Sequence, residues 1–375
     1  MIKPQKLKKG DKVAVVSLSS GMIGDKEFIH KYHLGKKRLE EEFGLEVVAM
    51  PNALKGSEYL FNHPEARAKD LMDALEDKSI KGIICSIGGE ETYRLLPFID
   101  FDVIKKNPKI FIGFSDTTFN HLMFYKAGVV SFYGPCIMCN FSEYGKMFDY
   151  EKEAVKNVLF NSNETYSILP SEFWCNEIIW WDEKNINKQK KMLRDEKGYE
   201  VLQGNGKTSG KLLGGCLESL SAMLGIFEDE WYDGNHQLAV NAKIFAEKYD
   251  LFPTKEEWKN KILFIETSEC QPTPEIFEKM LRVLLVDTKI IQNLNGIIVG
   301  KPKEEKFYEE YKLVLKRVVV QFRPKLPIIY NVNFGHASPI NIIPYGVECE
   351  LDCDNKKIVI VEKMLEDNFC CEKGK

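Results

Sequence analysis

The first third of the chain alternates short apolar runs with amphipathic stretches. Lys12–Ser17 (KVAVVS) and Leu45–Met50 read as strands, and Asp25 to Phe43 between them carries apolar residues at helical spacing. Pro64 suits a first helical position, and Ala66, Leu71, Met72 and Leu75 form the apolar stripe of the helix it opens. Ile80–Ile87 and Lys109–Ile112 are further short runs that end in glycine turns. Strand, helix, strand, helix at this spacing predicts a parallel sheet covered on both faces. In such sheets reactive residues gather at the carboxyl ends of the strands.

From Phe141 to about Thr208 the pattern fades. A helix over Asp149–Leu159 precedes Trp174, Trp180, Trp181 and a polar run to Gly198. A long segment of this kind reads as a functional loop, the alternative being a linker whose tryptophans pack on a neighbouring domain. Beyond it, Gly210–Leu213 leads through Gly214-Gly215 into a helix over Leu217–Leu224. Strands are predicted at Lys261–Glu266, Gly296–Gly300, Pro327–Val332, Val347–Leu351 and Lys356–Val361, with a helix over Pro274–Leu285. At roughly 150 residues per domain the length predicts two domains. We place them at residues 1–165 and 210–375, joined by a Trp-rich connecting and substrate loop over 166–209.

Composition narrows the classes. Hydrophobic residues at 44% and charged residues at 29% fit a folded chain rather than a disordered one. The 52 basic side chains against 56 acidic ones leave no basic field for a nucleic acid polymer. No apolar run approaches the ~18–20 residues that span a bilayer. Met1 to Lys12 is rich in Lys and lacks a signal-peptide core, so a cytoplasmic protein is expected. Cysteines in apolar contexts, such as Cys85, then read as buried free thiols. Cys136 and Cys139 lack a second pair at zinc spacing, and Cys349 and Cys353 bracket a turn, so no metal is expected. His30 and His33 share a helix without acidic or thiol partners and read as surface residues.

Three short motifs could carry chemistry. Ser115, in Gly113-Phe-Ser-Asp-Thr-Thr118, lies between a predicted strand and helix, as in a nucleophile elbow. A helix N-cap without a catalytic role fits the same residues. Gly88-Gly89, past the strand ending at Ile87, either lets a backbone N–H approach a bound group or simply makes a turn. His336 follows the predicted strand Pro327–Val332 and is the best general base among the histidines. Such a base needs a carboxylate to hold its tautomer. Glu218, in a helix, and Glu266, at the tip of an apolar strand, compete for that role. A charged group ending a buried strand needs a partner, which favours Glu266.

Taken in order, Gly88-Gly89 with Arg94-Leu-Leu-Pro97, Gly113–Thr118, Ile262–Glu266 and Phe334-Gly-His336 resemble the serine peptidases that group LD-carboxypeptidases with the microcin C immunity protein. The resemblance runs from Gly10-Asp11 to about Asp352. It implies an N-terminal flavodoxin-like parallel-sheet domain, a smaller β-rich α/β C-terminal domain and a homodimer. It further implies Ser115 as nucleophile, Glu266 as orienting acid, His336 as base, and backbone N–H groups of Gly89 and Asp116 as oxyanion hole. Gly88 and the Trp loop would contact substrate, and no cofactor is implied. Where the family has Gly-Gly-Asn-Leu, this chain has Gly214-Gly215-Cys216-Leu217, which puts Cys216 at a substrate position. The long loop resembles the microcin-immunity branch, in which a loop tryptophan stacks on the base of an aminoacyl-nucleotide; Trp180 and Trp181 are the candidates. The expected activity is hydrolysis of an amide in an aminoacyl- or peptidyl-nucleotide. Muropeptide LD-carboxypeptidase action and non-catalytic small-molecule binding are the alternatives.

Overall fold

The computed structural model describes residues 1–227 and 236–367. Within them β1 (Lys12–Val16), β2 (Glu46–Ala49), β3 (Ile80–Cys85), β4 (Ile110–Gly113) and β5 (Phe132–Tyr133) form one sheet in the order β2-β1-β3-β4-β5. Every neighbouring pair is parallel. This is the flavodoxin-like order, in which ligands bind beyond the carboxyl ends of the strands. Both faces are covered, so the strands can be continuously apolar: Val13 to Val16 are fully buried.

The helix expected from Asp25 starts at Ile29 and runs to Phe43. Asp25 is otherwise engaged, its carboxylate accepting from the Ser57 backbone N–H and hydroxyl. His30, expected at the surface, is buried on this helix, with Nε2 2.6 Å from the Tyr144 hydroxyl. His33 is exposed.

The next strands are β6 (Tyr166–Ile168), β7 (Phe173–Trp174), β8 (Leu193–Arg194), β9 (Glu200–Gln203) and β10 (Lys207–Cys216). After them come β11 (Lys261–Glu266), β12 (Leu294–Gly300), β13 (Ile328–Val332), β14 (Ile343–Pro344), β15 (Glu348–Asp352) and β16 (Lys357–Ile360). A second sheet has the order β6-β16-β15-β10-β11-β12-β13-β9, with β10 to β13 parallel. β10 continues past Leu213 because its glycines let it lie close on its neighbours. A Cβ on Gly214 would sit 1.7 Å from the Phe264 carbonyl oxygen. β14 leaves this body and pairs antiparallel with β5, so a late segment completes the first sheet. β7 and β8 form a separate ribbon whose connection carries Trp180 and Trp181.

No described helix is long and apolar enough to cross a membrane. The described cysteines, Cys85 among them, are free.

Candidate active site

β4 ends at Gly113, and a single helical turn, Ser115–Thr117, leads into the helix Thr118–Lys126. Ser115 sits at the bend with φ +66°, a left-handed conformation that a non-glycine residue adopts only where its surroundings impose it. Those surroundings are tight. A Cβ on Gly88, at the end of the β3 turn, would lie 2.8 Å from Ser115 Cβ and 3.3 Å from the Asp116 amide nitrogen. Glycine at 88 therefore brings the backbone after β3 against the serine. Gly89 has φ +146° and faces Ser19.

Asp116 turns its side chain away from the cleft. Its carboxylate accepts from the Ser19 hydroxyl at 2.6 Å and the Thr92 N–H at 3.0 Å, tying together the loops after β1, β3 and β4. Burial pushes its pKa up to about 6. Beneath the bend, His121 is fully buried, with Nε2 2.9 Å from the Gly113 carbonyl and Nδ1 2.8 Å from the Ser131 hydroxyl. The carbonyl can only accept, so Nε2 carries the proton, and burial drives the ring's pKa down to about 3. A neutral histidine thus braces the end of β4.

Glu266 is the last residue of β11 and is 1% exposed. Its Oε2 accepts from His336 Nδ1 at 2.7 Å and from the His336 backbone N–H at 3.2 Å. Gly335 makes this approach possible: it has φ +92°, and a Cβ there would lie 2.4 Å from Oε2. The other oxygen, Oε1, accepts from the Tyr133 hydroxyl at 2.5 Å. That same hydroxyl accepts from the Ser115 N–H at 3.0 Å. One phenol at the end of β5 therefore joins the serine bend to the carboxylate on the other sheet.

The far nitrogen of His336, Nε2, lies 3.0 Å from Oε2 of Glu269. Burial disfavours charge on the ring, but Glu266 and Glu269 outweigh it and raise the pKa of His336 well above its usual range. With a carboxylate at each nitrogen, the ring favours its charged form. Phe114 packs edge-on against it at 4.9 Å. Glu218, the competing candidate for the acid, is 8% exposed and is engaged elsewhere. Its Oε1 accepts from the Ser268 N–H and hydroxyl, both at 2.7 Å. Burial and then the charge of Glu266 raise its pKa to about 7.

Ser115 and His336 open onto a cavity of about 540 Å³ that Gly88, Gly89, Trp180 and Trp181 also line. A smaller hollow of about 80 Å³ shares Gly89, Ser115 and Glu269 with it and is also lined by Asp116, Cys216 and Glu218. The tryptophans differ. Trp181 is half-buried, edge-on to Phe28 and 5.0 Å from the Lys31 ammonium. Trp180 is 79% exposed, and its carbonyl is held by the Asp182 N–H at 2.8 Å and the Asn185 side chain at 2.9 Å. Trp174 is buried under Lys301, 4.5 Å from its ring, and packs. Tyr133, His121 and Glu269 were not legible as site residues. Only Glu269 left a trace, as the charged end of the turn after Glu266.

A strained serine at a strand end that shares a cavity with an acid-held histidine is an arrangement suited to nucleophilic attack on a carbonyl. The LD-carboxypeptidase N-terminal domain matches residues 13–134 and the LD-carboxypeptidase C-terminal domain matches residues 209–351. The chain belongs to this peptidase family and is a serine-type hydrolase. It is 29% identical over 308 residues to the microcin C7 self-immunity protein MccF of Escherichia coli, covering 80% of this chain and 79% of that one. An MccF-like protein from Streptococcus pneumoniae, solved with AMP, superposes with TM-score 0.85 at 38% identity over 94% of this chain and 98% of its own. MccF in complex with glutamyl sulfamoyl guanosine superposes with TM-score 0.78 at 25% identity, covering 98% and 100%. Its complex with aspartyl sulfamoyl adenosine gives 0.77 at the same identity and coverage.

Proposed function

We propose that this protein hydrolyses the amide joining an aminoacyl or peptidyl group to a nucleotide, through an acyl-enzyme on Ser115. Ser115 Oγ attacks the carbonyl while His336 Nε2 takes its proton, and Glu266 holds the ring by Nδ1. The carbonyl oxygen is received by the N–H groups of Gly89 and Asp116. His336 then passes its proton to the leaving nitrogen, and water repeats the sequence to free the acid. At rest Nε2 carries a proton held by Glu269, so that proton must pass to water as substrate draws the carboxylate aside, and only the neutral ring then accepts from Ser115 Oγ.

The observation that carries the substrate class is the large cavity between Ser115 and the open face of Trp180. An exposed aromatic ring across a cavity from a nucleophile offers a planar base a stacking surface. The test is hydrolysis by the purified protein of aminoacyl sulfamoyl adenosines and of a muropeptide tetrapeptide, with Ser115→Ala as control. We expect turnover of the nucleotide conjugates, labelling by a serine-directed phosphonate, and loss of both in the variant. Turnover of the muropeptide alone would move the activity to LD-carboxypeptidase action, and neither labelling nor turnover would leave a binding protein.

A further inference from the structure

The small hollow behind Ser115 bears on which acyl group is accepted, and its role as an acyl subsite rests on the nucleotide-conjugate reading. With the base against Trp180 in the large cavity, the acyl side of the scissile bond falls on the opposite side of Ser115. Glu90, Glu218 and Glu269 line the hollow there, and among the described residues no Lys, Arg or His does. Glu218 Oε1 is occupied by Ser268, while Oε2 accepts from the Cys216 thiol at 3.4 Å. Ser219 also lines the hollow. It is only 8% exposed. A serine hydroxyl at this wall can accept from a ligand donor. Cys216 supplies a thiol, a weak donor that cannot satisfy a carboxylate.

We infer that this hollow selects the acyl residue by charge, favouring a small side chain that bears an ammonium group and turning away aspartyl and glutamyl groups. An anionic side chain would enter among like charges and meet no cation. An ammonium group would meet Glu218 and Glu269, and the Ser219 hydroxyl would accept from it. Pairing with Glu269 would also draw that carboxylate from His336 Nε2, so the favoured acyl group would free the base as it binds.

The experiment compares three acyl groups of nearly equal size on sulfamoyl adenosine: 2,3-diaminopropionyl, asparaginyl and aspartyl. We expect kcat/KM to fall in that order, with diaminopropionyl above aspartyl by at least about tenfold, because like-charge placement discriminates strongly at close quarters. Glu218→Gln keeps an oxygen for Ser268 and should compress the ratio toward one. Glu269→Gln serves the same purpose if the first variant does not fold. An aspartyl substrate cleaved as fast as the asparaginyl one would overturn the inference while leaving the proposed function intact. A preference that survives both substitutions would overturn its assignment to these carboxylates. If none of the three is cleaved, the nucleotide-conjugate reading fails, and this inference fails with it.

Discussion

Replacing Glu269 by Gln tests the charge state of the base. His336 Nε2 lies 3.0 Å from Glu269 and Nδ1 lies 2.7 Å from Glu266, so the resting ring holds its proton tightly. Unit charges about 4 Å apart interact by about 1 kcal/mol in water and about 4 kcal/mol near a protein surface. The Glu269 side chain is 59% exposed, which places the pair toward the watery limit. About 1–2 kcal/mol remains, and at about 1.4 kcal/mol per unit this is roughly one pKa unit. The sign is set by the charge removed. Losing an anion beside the imidazolium destabilises the charged form and lowers the pKa of His336. The acidic limb of kcat/KM against pH should therefore move down by about one unit, since that limb reports the free enzyme's base. Any contact of Glu269 with substrate changes the height of the profile, not the position of its limb. Steady-state rates across the acidic and neutral range, with an imidazole proton titration by NMR, would measure it. A limb that stays in place or moves upward would refute the clamp.

The same geometry makes three further outcomes testable. Trp180→Ala should raise KM for an adenylated substrate by about ten- to hundredfold, from about 1–3 kcal/mol of lost stacking, with little change in melting temperature. Trp181→Ala should instead lower the melting temperature, because its ring packs on Phe28 and Lys31; reversed results would exchange the two roles. Glu266→Gln should reduce kcat by on the order of 10³–10⁴, as when the acid of a Ser-His-Asp triad becomes an amide, and a loss under about tenfold would point to another orienting group. Gly335→Ala would force a methyl group onto the Glu266 carboxylate at a positive φ, so both activity and thermal stability should drop; a variant as stable and active as the parent would contradict the close approach.

The parallel sheet was legible because strands buried on both faces are written as unbroken apolar runs. Lys12–Ser17 and Ile80–Ile87 needed only small trims at their ends. Ser115, Glu266 and His336 were legible as candidates because each ends a strand or follows one closely. What stayed hidden depends on distance through space. Tyr133 is one aromatic residue among many until β5 is seen to end between Ser115 and Glu266. His121 has helical neighbours and no glycine turn, and its role exists only because the helix lies beneath β4. Asp25 reads as a helix start, since nothing local says that its carboxylate is taken by Ser57. The contrast between Trp180 and Trp181 is set by Phe28 and Lys31, which lie far back in the chain.

The return of β14 to the edge of β5 also orders events in time. Ser115 and its bracing residues lie on strands made early, and the first sheet still lacks its last strand when they emerge. His336 precedes that strand by only a few residues, on the connection from β13. The strand that closes the sheet and the proposed base are thus supplied by one late stretch of the chain. A nascent chain carries its serine for most of its synthesis without the histidine beside it. On the proposed triad, hydrolytic competence would await the same stretch of chain that closes the first sheet.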